Sequence, residues 1–112
     1  MATVKPFDFR KIKKPTYPVI LDDGTEIGVY MPEKSLLDEV TESGDLLKKA
    51  QRGDGESIGV LYELVARIMS RNTKDLTITV EDIERMTDDV GDLIMFFKGY
   101  IGHLSTIAQS KN

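Results

Sequence analysis

The spacing of apolar residues changes once along this chain. Tyr17, Val19 and Leu21, then Ile27, Val29 and Met31, recur at every second position, the period of one face of a pleated strand pair. Beyond Pro32 the apolar residues recur at spacings of three and four almost to the C-terminus, as on amphipathic helices. The pattern predicts an α+β fold, an N-terminal β-hairpin packed on a mostly helical body of about four helices. Asp22-Asp23-Gly24 separates the strand-like runs 16–21 and 25–31 and supplies turn chemistry, with Gly24 free to take a positive φ. Two strands alone are marginally stable in water. The face bearing Tyr17, Val19, Leu21, Ile27, Val29 and Met31 must therefore rest on the helices.

Pro32 ends the second strand and suits a helix start. Leu36, Leu37, Val40, Leu47 and Ala50 then form a stripe to about residue 51. Ser43-Gly44-Asp45 is a possible interruption, with Gly44 as a C′ residue and Asp45 as a new N-cap. The stripe fits one helix or two. Arg52-Gly53-Asp54-Gly55 is a linker by composition; its RGD tripeptide matches an integrin-recognition sequence only at chance level. From Glu56 to Arg71, Ile58, Leu61, Tyr62, Leu64, Val65, Ile68 and Met69 share one broad arc, with Glu63, Arg67 and Ser70 opposite. So wide an arc predicts a central helix contacted on more than one side. Residues 72–79 read as a loop or a short extended stretch. Thr79-x-x-Asp82 resembles a capping box and opens a short helix through Ile83 and Met86. Thr87 is the next expected N-cap.

The last helix is expected from about Asp88 to Ala108. Val90, Leu93, Ile94, Phe96, Phe97, Tyr100, Ile101, Leu104, Ile107 and Ala108 share its apolar face. Gly91, Met95, Gly99, Gly102 and Thr106 lie opposite. Three glycines on a merely solvated helix face would forfeit roughly 3 kcal/mol relative to Ala. A second close helix, from this chain or a partner, would account for them. These five residues are the candidate partner-binding set.

At 112 residues with 40% hydrophobic and 30% charged composition, the chain reads as one domain, 1–112. Within it, 1–14 is a basic, weakly ordered arm, 15–32 the hairpin and 33–109 the helical body. Phe7, Phe9 and Ile12 alternate with polar residues, so part of the arm is a candidate edge strand, limited by Pro6, Pro15 and Pro18. The arm carries Lys5, Arg10, Lys11, Lys13 and Lys14 against Asp8, a net +4, which leaves −8 on the rest of a chain whose total is −4. So acidic a body opposes nonspecific binding to phosphate backbones. No apolar run approaches the roughly 20 residues of a membrane span, and the start lacks a signal-type apolar stretch. The absence of Cys excludes disulfides and thiolate metal sites and fits a reducing cytoplasm.

Catalytic vocabulary is sparse. His103 is the only histidine, and Ser105 projects far from it around an ideal helix, so a nucleophile–base pair is not assembled locally. One His cannot supply a zinc site. The acids Glu81, Asp82, Glu84, Asp88, Asp89 and Asp92 lack the alternating register of a calcium loop and suit helix starts instead. No phosphate-binding glycine motif is present. Phe7, Phe9, Tyr17 and Tyr30 near basic residues suggest base stacking, which the acidic body opposes. The expectation is a protein without enzymatic activity, cofactor or metal.

The run Lys14-Pro15-Thr16-Tyr17-Pro18-Val19-Ile20-Leu21-Asp22-Asp23-Gly24-Thr25-Glu26-Ile27, followed by helices, a hydrophobic last helix and the polar tail Gln109-Ser110-Lys111-Asn112, resembles small tail assembly chaperones of long-tailed bacteriophages and prophages. The resemblance implies a cytoplasmic, non-enzymatic role: coating the long helical tape measure protein until tail tube subunits polymerise around it. Tape measure protein is the implied partner, tail tube protein a further one, and self-association is implied by the need for many copies. It also implies a longer frameshifted form, and Lys111-Asn112 is compatible with a slippery codon run. Another phage structural or connector component, or a small regulatory or nucleic-acid-binding adaptor, is the alternative.

Overall fold

The computed structural model describes residues 4–12 and 14–110, with side chains to 107. Lys13 of the arm and Lys111-Asn112 of the tail lie outside the described residues, as do the side chains of 108–110. Two strands, β1 (Thr16–Ile20) and β2 (Glu26–Tyr30), precede five helices: α1 (Lys34–Thr41), α2 (Gly44–Gln51), α3 (Gly55–Met69), α4 (Val80–Met86) and α5 (Val90–Ser110). The α+β reading holds, with one helix more than the four expected.

The hairpin is antiparallel, with Tyr17 opposite Val29 and Val19 opposite Ile27. These four therefore share the face turned to the helices, where Ile27 and Val29 are completely buried. Gly24 adopts φ +88°. Its N–H donates to the Leu21 carbonyl at 3.0 Å, and the Asp23 carboxylate accepts from the Thr25 N–H at 2.9 Å. That bond is the main reason the Asp23 carboxyl is held below its ordinary range.

The far edge of β2 is covered by the segment after α3. The Tyr30 N–H donates to the Arg71 carbonyl at 2.8 Å, and the Thr73 N–H to the Gly28 carbonyl at 2.9 Å. Asn72 holds this segment in shape. Its amide donates to the Met69 and Leu76 carbonyls, both at 2.8 Å, and its oxygen accepts from the Lys74 and Leu76 N–H groups. All the bonds a side-chain amide usually makes are thus filled by backbone. Even-numbered residues of β2 bond to this segment, so odd-numbered residues face β1. By the same alternation Thr16, Pro18 and Ile20 turn their backbone groups away from β2, and Pro18 has no N–H to leave unpaired there.

The apolar stripe to residue 51, which fits one helix or two, forms two. The break comes at Glu42 and Ser43, and Gly44 opens α2 rather than ending α1. The Ser43 hydroxyl donates to the Val40 carbonyl at 2.5 Å, competing with helical continuation. α3 is the central element, packed by α2, α4, α5 and β2. Asp54 caps it, accepting from the Ser57 N–H and hydroxyl at 3.1 and 2.5 Å. The RGD tripeptide is thus a turn with Gly53 at φ +88° followed by a helix cap. The capping box at α4 is complete, with Thr79 and Asp82 bonded reciprocally. Thr87 is not the N-cap of α5. Its hydroxyl turns back to the Ile83 carbonyl at 2.8 Å, and Asp89 accepts the Asp92 N–H at 3.2 Å. One apolar cluster joins all these elements, centred on Leu61, Val65, Ile68, Ile83, Leu93, Phe97 and Tyr100. Among the described residues no helix is long and apolar enough to cross a membrane.

Candidate interaction surface

The five candidate residues lie on the outward line of α5. Leu93, Phe97 and Tyr100 point the other way into the core, each at most 1% exposed. That burial fixes the helix rotation, so Gly91, Met95, Gly102 and Thr106 face outward and are exposed. Met95 is 73% exposed, unusual for a thioether on a long helix. The Thr106 hydroxyl donates to the Gly102 carbonyl at 3.0 Å.

The three glycines have different surroundings. A methyl group built on Gly99 would lie 2.6 Å from the Tyr17 hydroxyl. The close neighbour at Gly99 is therefore a strand of the same chain, not a second helix. A methyl group on Gly102 meets nothing within 4 Å, and one on Gly91 meets only the Asp89 carboxylate, at 2.9 Å. The outward line is thus open around Gly102 and Met95.

Tyr17 fixes how the hairpin meets this helix. Its ring lies edge-on to Phe96 and to Tyr100, each at 6.0 Å, and 5.1 Å from the His103 ring. The Tyr100 hydroxyl donates to the Tyr30 carbonyl at 3.1 Å. β1 therefore runs beside the exposed line of α5. Ile20, on the face of β1 turned away from the helices, is 71% exposed. Through Tyr17, β1, whose other edge has no strand partner among the described residues, meets the outward line of α5 at Gly99. The sequence hides this juxtaposition, because it depends on which strand of the hairpin is covered by residues 71–73.

The remaining polar candidates are not brought together among the described residues. His103 packs on Tyr17, its Nε2 out of solvent and without a hydrogen-bond partner, and no hydrogen bond links it to Ser105 or Asp92. Of the acidic residues, Asp82, Asp89 and Asp92 accept backbone N–H groups. No group of three or more ligating side chains converges among the described residues. Arg85 joins Asp82 to Asp22 of the hairpin turn, at 3.0 and 2.9 Å. These contacts raise the Arg85 guanidinium. Asp82 is lowered chiefly by its bond from the Thr79 N–H. Of the aromatic residues considered for base stacking, Tyr30 has Lys14 over its ring at 5.5 Å and Tyr17 is partly buried, which leaves Phe7 and Phe9. No family model, curated protein or solved structure matches the chain.

Proposed function

We propose that this chain is a tail assembly chaperone of a long-tailed phage or prophage, acting without catalysis in the host cytoplasm. In this reading it binds the tape measure protein and keeps it soluble until tail tube subunits replace it. The observation that carries the reading is the bare outward line of α5, which β1 meets at Gly99 and on which Met95 stands 73% exposed. Small residues there let a second helix approach closely, and a flexible thioether adapts to varied apolar partners. A long amphipathic helix of the tape measure protein is the occupant this surface suits. The resemblance of the run Lys14 to Ile27 and of the helix order supports the same reading.

Co-expression with the tape measure protein of the same genome tests it. The wild-type chain should carry tape measure protein into the soluble fraction and co-purify with it, yet be missing from finished tails. Met95→Glu with Gly102→Gln should cut that affinity by about tenfold or more, the scale of losing one well-packed contact. A tape measure protein equally soluble with or without this chain would overturn the reading. Stable incorporation into virions would make the chain a structural component instead.

A further inference from the structure

The N-terminal arm presents large apolar side chains to solvent. Val4, Phe7 and Phe9 are 91%, 72% and 79% exposed, and none joins the core cluster. The arm did not add the expected edge strand to the sheet, which has two strands. It forms a compact knob. Asp8 caps a 3-10 turn over Phe9–Lys11 and is joined to the Arg10 guanidinium at 3.0 and 2.9 Å. This turn sets the Phe7 and Phe9 rings edge to face at 4.8 Å. Lys5 and Lys11 pair with no carboxylate among the described residues.

The complement lies on the body. A groove of about 320 Å³ between α1, α2 and α3 is lined by Leu46, Val60 and Leu64, with Glu42 and Glu63 beside them. Val60 is 45% exposed. Glu39 in the same groove is satisfied by Arg67, at 2.9 and 2.6 Å. Glu42 and Glu63 have no cation among the described residues. An apolar floor with uncompensated carboxylates fits an apolar knob with uncompensated lysines. The groove lined by Leu37, Val40, Leu47, Ile101 and Leu104 and the one lined by Ala50, Ile58, Val90 and Ile94 have no charged lining and give the lysines nothing to meet, and the one by Leu36 and Ile78 carries Arg67 and Arg71 against the single acid Glu33.

We infer that the Phe7–Phe9 knob of one copy docks in the Leu46–Val60–Leu64 groove of a second copy, with Lys5 and Lys11 set against Glu42 and Glu63. A turn already closed by Asp8 and Arg10 loses little freedom on docking. The charges make the contact salt-sensitive and give it direction. The inference stands apart from the tape measure reading, and either can fail alone.

The test is molar mass by light scattering on the full chain, at about 100 µM, where a contact of about −5.5 kcal/mol is half formed. The wild type should reach at least twice its 12.6 kDa monomer mass, and fall toward the monomer between about 0.05 and 0.5 M salt. Phe7→Ser with Phe9→Ser removes the knob; Val60→Lys with Glu63→Lys removes the groove. All four positions are exposed, so both variants should keep the wild-type circular dichroism spectrum. Each alone should be monomeric, while an equimolar mixture should form a dimer, because each then supplies the half the other lacks. A monomeric wild type, as when the knob docks in its own groove, would overturn the inference. So would variants that keep the wild-type mass, a mixture that stays monomeric, or a knob that binds anionic vesicles or oligonucleotides while the protein remains monomeric.

Discussion

Gly99 and Gly102 are three residues apart on one side of α5, yet only one of them is filled by its surroundings. At Gly102 an added methyl group meets open space, so Gly102→Ala should gain most of the helix-propensity difference, up to about 1 kcal/mol. At Gly99 the methyl group would sit 2.6 Å from the Tyr17 hydroxyl. The ring cannot easily swing aside, because Phe96, Tyr100 and His103 surround it. Gly99→Ala should therefore fall below Gly102→Ala by about 1–3 kcal/mol, the cost of overpacking. Removing the hydroxyl with Tyr17→Phe should close most of that gap. Urea titrations of the two single variants and their Tyr17→Phe doubles measure it as a coupling energy. Equal effects at the two glycines would show that the tyrosine tip yields freely.

The connection from α3 to α4 behaves as an element in its own right, though it has no regular repeat. Asn72, 3% exposed, closes it through four backbone bonds, and Ser70 adds bonds to the Ile78 N–H and carbonyl, both at 3.0 Å. Asn72→Ala would leave buried backbone groups unpaired and release the strip that covers β2. The expected loss is about 3 kcal/mol in denaturant unfolding, far above the near-zero effect of an alanine in a solvated loop. Composition marked residues 72–79 as a loop or short extended stretch, which allows the bridge from Asn72 to Val29; it could not mark the burial of Asn72, because a buried asparagine and a solvated one read alike. Local signals did better. The Thr79–Asp82 box and the Gly24 turn each rest on residues no more than three apart, and both formed as read. Thr87 failed as a cap because Asp89, two residues on, competes for the same role. The α1–α2 break could not be decided in advance, since Leu36, Val40, Leu47 and Ala50 lie close to one stripe whether the helix is broken or not. The outward line of α5 was legible from period alone. Its neighbour at Gly99 was not, because Tyr17 lies 82 positions away in sequence.

At the scale of the whole molecule the question is what holds a two-stranded hairpin to a helical body. Apolar burial of Ile27 and Val29 does most of it, the strip 71–73 bonds to the edge of β2, and the Tyr100 hydroxyl on the Tyr30 carbonyl adds a partly buried bond from α5. Tyr100 is 1% exposed, and burial pushes its phenol from 10.0 up to about 12. The neutral phenol is the form the fold accepts. Its contribution is therefore complete below the unfolded value near 10 and is lost as pH rises toward 12. Linkage over that interval amounts to at most about 2–3 kcal/mol, a large share of the stability of a domain this small. Tyr100→Phe keeps the ring and loses the proton. At neutral pH it should be less stable than the wild type by about 1 kcal/mol, the value of the hydrogen bond. Above pH 10 the wild type should decline more steeply than the variant, and the two stability curves should cross before pH 12. Every other group is common to both proteins and cancels in the difference. Parallel curves across that range would mean that the phenol ionises without disturbing the hairpin, and that its apolar face and its bonds to residues 71–73 hold it without this one.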